Sequence, residues 1–331
     1  MIRTRTTTLA CALLIACAAC DDDAAGPAAN EALVLEVDGL PALDASTQNA
    51  YALWIEADGG VHRAATFNGG AGVTTVPFEL PTARPARAFV TLEPSAGDTP
   101  SSFVLLGGSF QGARAELRLE GSLTNGQPLE QQPGAHSLFT SSNNVALGYP
   151  SYENAGLWLF NIFPSQNAHG TREVKLTPLR AAWTYEGWIV LHHGADDAVW
   201  ISYGKYRPDE HGLLTSRDNT GSGPFSGDVD FVNGGIEDVP GDEWTTNLFD
   251  LPVPGGLTLP LVLDAVDHDG AAVWTHVITV EPSFDESEPL GAERPFIPVY
   301  ANPIGAGGPQ VPRRILPVAG VPVGRIAPSE P

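Results

Sequence analysis

Beyond residue 20 the chain has no cysteine; its three cysteines are Cys11, Cys17 and Cys20. A chain so arranged folds without a disulfide, and it holds neither a Cys-ligated metal nor a thiol nucleophile in its body. Cations are scarce as well. Lys and Arg number 17 against 39 Asp and Glu, for a net charge of −22. Nucleic acid is excluded as a partner, because phosphate binding needs clustered cations. The longest apolar run near the start, Leu9 to Ala16, is too short to span a bilayer as a permanent helix. The sequence has no His-Glu-x-x-His, no Gly-x-Ser-x-Gly elbow and no phosphate loop. Glycine (36) and proline (29) are abundant but not periodic. They predict many turns and short strands rather than long helices or collagen.

The N-terminus reads as an address. Arg3 and Arg5 precede the apolar run, and Leu14-Ile15-Ala16-Cys17 has the pattern of a bacterial lipobox. Cys17 is the expected lipidation site, with Cys20 as the alternative and an ordinary secretory signal as the competing reading. Residues 1–20 are then a lipoprotein-type signal peptide. Residues 21–31, which begin with three aspartates, are a flexible tether to the membrane. The location that follows is the bacterial cell envelope, with the membrane contacted through lipid.

The remainder uses one pattern twice. Tyr51 to Ile55 (YALWI) is answered by Tyr185 to Val190 (YEGWIV), and Phe89 to Pro94 (FVTLEP) by Val277 to Pro282 (VITVEP). Trp54 and Trp188 lie 134 positions apart, and Glu93 and Glu281 lie 188 apart, so the second copy holds about 54 extra residues between its landmarks. Leu176-Thr-Pro-Leu179 likewise matches Leu40-Pro-Ala-Leu43. In the first copy, strands at near 10-residue spacing are separated by Gly, Asn and Pro. An example is Leu33, Leu35 and Val37 alternating with Val34, Glu36 and Asp38. This spacing predicts an all-β chain of two tandem antiparallel β-sandwich, Ig-like domains. The expected boundaries are 32–138 and 139–300, the second with an acidic insert at 208–260, followed by a Pro-rich tail at 301–331. With seven prolines, that tail is expected to stay extended or disordered and to form no central strand.

The ordered pieces GLPAL, YALWIEADGG, AATF, FVTLEPSAGD and FVLLGG, from Leu40 to Gly108, resemble the extracytoplasmic C-terminal domain of the anti-sigma-K factor family. The second half is similar to larger bacterial proteins with anti-sigma-like domains. The resemblance implies a β-sandwich outside the membrane. It does not extend to the sigma-binding helical region or the transmembrane helix of that family, so no direct sigma-factor binding is expected. Trp54, Glu93, Trp188 and Glu281 are the motif positions, and structural roles are expected for them. The Trp residues would pack in the core, and each Glu would accept backbone N–H groups of the turn after its strand.

The insert carries Asp228, Asp230, Asn233, Asp238, Asp242 and Glu243, oxygen ligands of the kind calcium takes. Their spacing is neither that of an EF-hand nor that of a nonapeptide repeat, so a solvated acidic loop is the simpler reading, with calcium as the alternative. Asp267-His268-Asp269-Gly270 reads as a hairpin turn. His192 and His193 are adjacent on a strand and point to opposite faces. The functional expectation is a non-enzymatic envelope protein that binds or senses a protein or glycan. The alternative is a hydrolase acting on polysaccharide or peptide, its site assembled between distant strands.

Overall fold

The computed structural model describes residues 30–43, 49–81, 84–94, 97–119, 121–138, 154, 156–160, 175–208, 256–258, 261–283, 295–308 and 311–329. Cys17, Cys20, residues 1–29 and the calcium candidates of the insert lie outside these residues. Among the described residues the chain is all-β, with antiparallel pairing throughout and no α-helix.

The N-terminal part contributes β1 (Ala32–Asp38), β2 (Ala50–Ala57), β3 (Gly60–Phe67), β4 (Thr74–Glu79), β5 (Pro85–Glu93), β6 (Val104–Gln111) and β7 (Arg114–Arg118). The predicted periodicity is kept. Leu33, Leu35 and Val37 are buried while Ala32 and Asp38 are exposed, and in β7 Ala115 and Leu117 are buried between exposed Arg114, Glu116 and Arg118. The β2–β3 hairpin turns on Asp58 (φ 49°) and Gly59 (φ 76°), two successive left-handed residues as a type I′ turn requires. The second glycine of FVLLGG is needed for close approach. A Cβ on Gly108 would lie 1.8 Å from the Glu116 carbonyl oxygen of the neighbouring strand.

Eight strands make the largest sheet, and the eighth is the surprise. It is β15 (Val323–Pro328), which inserts between β7 and β1 in the order β3-β2-β5-β6-β7-β15-β1-β4. The C-terminal segment was expected to be unable to supply a central strand, and this corrects that expectation. Pro322 precedes the strand and Pro328 is its last residue, so the run Val323-Gly-Arg-Ile-Ala327 between them keeps its backbone N–H groups. Ile326 is fully buried, and Arg325 is in register with Glu36 on one side and Glu116 on the other. Arg325 donates to Glu36 from Nε at 3.2 Å and from Nη2 at 2.7 Å. The edge strands β3 and β4 lie beside one another, so the sheet curls into a near-barrel rather than the face of a simple sandwich.

The second sheet has the order β11-β10-β12-β13, from β10 (Trp183–Leu191), β11 (Val199–Tyr206), β12 (Trp274–Pro282) and β13 (Ile297–Pro303). It repeats the β3-β2-β5-β6 portion of the first, down to its irregularities. Pairing slips between Leu53 and Trp54 against β3, and between Gly187 and Trp188 against β11. It slips again between Val90 and Thr91 against β6, and between Ile278 and Thr279 against β13. Bulges at matching positions set matching local twist, so equivalent side chains are aimed alike. A third, small sheet joins β8 (Ala135–Leu138) to β9 (Leu157–Phe160) and β14 (Arg313–Arg314). The GLWL strand therefore belongs to this sheet rather than to the second repeat.

One apolar cluster runs from Leu33 and Tyr51 through Leu117 and Leu138 to Trp183, Ile278 and Tyr300. Trp183 sits at its middle. It stacks on Phe296 with centroids 5.8 Å apart, meets Phe103 edge-on at 5.7 Å, and donates from Nε1 to the Val104 carbonyl at 3.2 Å.

Candidate functional site

The repeated strands place the repeated motif residues on the sheet face opposite the main core. In β2 the side chains of Tyr51, Leu53 and Ile55 enter the core, which sends Ala52 and Trp54 to the other side. Trp54 and Trp188 are buried, at 1% and 4% exposure, but each belongs to its own small cluster: Trp54 with Ala52 and Phe89, Trp188 with Val190 and Val277. They were expected beneath the sandwich in the core. Their odd–even position relative to Tyr51 and Tyr185 puts them on the other face.

In the first repeat the Trp54 indole N–H donates to Thr91 Oγ1 at 2.8 Å and to Glu93 Oε1 at 3.2 Å. The Thr91 hydroxyl donates in turn to Glu93 Oε1. The same carboxylate oxygen accepts the backbone N–H of Ser101 at 3.2 Å, across the turn that follows β5. Arg63 lies over the Trp54 ring, 5.0 Å from its centroid, and covers it from solvent.

In the second repeat Trp188 donates to Thr279 Oγ1 at 2.9 Å, and Glu281 Oε1 accepts the backbone N–H of Phe296 at 2.7 Å. Glu281 is fully buried. Here Ser202 holds the register position of Arg63, and Trp200, two residues before it, meets Trp188 edge-on with centroids 5.9 Å apart. The phenols of both repeats act alike too. Tyr51 donates to the Pro41 carbonyl at 3.0 Å and Tyr185 to the Thr177 carbonyl at 2.7 Å, so each ties the Leu-Pro segment beneath its sheet. Burial pushes both hydroxyls well above the usual tyrosine range, which keeps them as donors.

The repeats differ at one polar position. Glu186 stands where the first repeat has Ala52. It is buried, accepts a hydrogen bond from Ser202 Oγ at 2.6 Å, and is in register with the buried Lys205. Glu186 pairs with Thr279 while Thr184 pairs with Glu281, so the two carboxylates share a face of adjacent strands, one diagonal step apart. The motif YEGWIV displays Glu186 in the sequence, but only the register of β10 on β12 reveals its neighbour.

The other predicted groups do not converge. His192 sits in a turn at φ 51°, with Nδ1 3.1 Å from Asp197 Oδ2, and the His193 ring meets Trp200 at 5.5 Å. Asp267, His268 and Asp269 bring ligand atoms within 4.8 Å of one another, but all three are exposed. Asp267 Oδ1 accepts the backbone N–H groups of Asp269 and Ala271, both at 2.9 Å, which is the chemistry of the expected hairpin turn.

A buried pair that the sequence did not suggest lies between the small sheet and the second sheet. His136 on β8 and His276 on β12 are 0% and 2% exposed, with their Nδ1 atoms 3.1 Å apart. Their rings meet edge-on, with centroids 4.7 Å apart. Arg313 on β14 is the register partner of His136. Burial drives His276 down to about 3, and it drives His136 well below the usual histidine range, with the His276 and Arg313 charges adding to the effect. Both shifts favour neutral imidazoles at pH 7, and the short Nδ1–Nδ1 approach fits one ring donating to the other. No sequence signal announces them, because they are 140 positions apart and each sits in an ordinary apolar strand.

No family model matches the sequence, and no curated protein and no solved structure matches it.

Proposed function

We propose that this chain is a non-enzymatic, lipid-anchored protein of the bacterial cell envelope. It is a binding or sensing module made of two related, Ig-like sandwich units that resemble the outer domain of anti-sigma-K factor proteins. The observation that carries this reading is the use made of Glu93 and Glu281. Each is buried, and each accepts a backbone N–H across the connection that follows its Thr-x-Glu-Pro strand. A carboxylate held in this way anchors a loop; it is poorly placed to exchange protons with a substrate. Two repeated frames that fix their loops support recognition rather than turnover. The acidic insert 208–260 is the recognition surface for an envelope protein or glycan, with calcium as its alternative occupant.

Crosslinking and pull-down from the native envelope, with the full chain and a variant lacking 208–260, tests this. A partner that binds only the full chain, and still does so as a purified component, supports the reading. A chelator arm separates a calcium-dependent surface from a plain acidic one. Capture of no protein or glycan by either form overturns it.

A hydrolase acting on envelope polysaccharide or peptide is the second reading, favoured by the placement of Glu186 and Glu281 on one face. It requires release of reducing ends or amines by the purified protein, abolished by Glu186→Gln.

A further inference from the structure

β7 and β15 are neighbours in the first sheet, although residues 119–322 separate them in the chain. Arg118, the last residue of β7, is the register partner of Val323, the first of β15. The two strands thus form an antiparallel hairpin in which the second sheet and the small sheet stand where a turn would be. β15 also pairs with β1 along its length, and the Ser329 N–H donates to the Ala32 carbonyl at 3.1 Å. Taking β15 away would leave β1 and β7 as open edges and remove Ile326 from the core.

Both ends of the intervening chain are tied to the second sheet. On the way out, the Leu123 carbonyl accepts the Arg180 N–H at 3.0 Å, and the Arg180 carbonyl accepts the N–H of Trp183 on β10 at 2.9 Å. On the way back, the Ala301 N–H of β13 donates to the Leu316 carbonyl, and the Val318 N–H donates to the Val299 carbonyl of β13, both at 3.0 Å. Pro317 bridges to Tyr300 between them. Residues 319–322 are then the whole of the tie to β15. Ala319 and Gly320 are exposed, whereas Pro322 lies against Gly39, where an added Cβ would come within 3.3 Å of the Pro322 Cα.

A strand delivered on so short a tie has a high local concentration beside its slot. With the second sheet unfolded, β15 would instead close a loop of residues 119–322, which is less favourable by on the order of a hundredfold. We propose that β15 is a clasp through which the folded second sheet holds the first sheet closed. It bears on β1 and β7 alike, and it is independent of what the insert binds.

The test is pulse-labelled amide hydrogen exchange across a urea titration of the full chain, read in β15, β10 and β12. In the wild type all three should lose protection at one urea midpoint. Val277→Ala removes buried volume from the Trp188 cluster, which is separate from the main core. It should lower the β10 and β12 midpoint and carry that of β15 down by the same increment. A Gly-Ser stretch of about ten residues inserted after Gly320 lengthens the tie. Nothing lies within 4 Å of a Cβ at Gly320, so the insertion leaves the core alone. In that chain β15 should open at lower urea than β10 and β12, and Val277→Ala should move its midpoint less. Separate midpoints in the wild type overturn the proposal without any variant, as does a β15 midpoint that Val277→Ala leaves in place. Coupling that survives the longer tie overturns the assignment to β15 and moves it to the shared core.

Discussion

Trp188 donates its indole N–H to Thr279 Oγ1 at 2.9 Å, as Trp54 does to Thr91 Oγ1 at 2.8 Å. The two bonds are equivalent in position but not in backing. The Trp54 N–H also reaches Glu93 Oε1 at 3.2 Å. Thr279→Val should therefore destabilise the protein by about 1–3 kcal/mol, the cost of a buried donor left unpaired, and Thr91→Val by less. Denaturant unfolding of the two variants checks the order.

Glu281 holds the Phe296 N–H from a fully buried position. Glu281→Ala should cost about 1–3 kcal/mol, while Glu281→Gln, which keeps a carbonyl acceptor, should recover part of the loss. Equal losses in the two variants would mean that the charge, rather than the acceptor, is what matters.

Acid should destabilise the fold through the histidine pair. In the folded state both histidines are held below their ordinary value of 6.5, His276 at about 3. The unfolded chain therefore binds more protons below pH 6.5. The contribution is whole above that pH and is lost as pH falls toward 3, at up to about 1.4 kcal/mol per pH unit for each histidine. Urea midpoints from pH 7 to 4.5 should fall with a slope that His276→Gln reduces.

The C-terminal strand should carry stability. Ile326 is fully buried in the large sheet while Val323 is 42% exposed. Ile326→Ala should cost about 2–5 kcal/mol, and Val323→Ala much less. Arg325→Ala should cost less than about 1 kcal/mol, because its pair with Glu36 is solvent-exposed. A negligible effect of Ile326→Ala on thermal unfolding would mean the strand is dispensable.

The strands, the hairpin at Asp58-Gly59 and the repeat were legible because period-two burial and turn chemistry are local. Leu33, Leu35 and Val37 announce β1 without knowledge of any neighbour. The place of β15 was not legible. Seven prolines dominate residues 301–331, and only the register with Leu33 and Leu117 shows that they bracket a strand rather than break one. The Glu93 and Glu281 roles could be read from their position before proline at a strand end. The closeness of Glu186 to Glu281, and of His136 to His276, depends on long-range register that no short window contains.

The functional proposal depends first on the chain being held at the envelope by lipid. The direct measurement is fatty-acid labelling in a bacterial host, with fractionation, of the wild type, Cys17→Ser and Cys20→Ser. The account predicts label and membrane association in the wild type and in Cys20→Ser, and loss of both in Cys17→Ser. An unlabelled, soluble wild-type chain would contradict it.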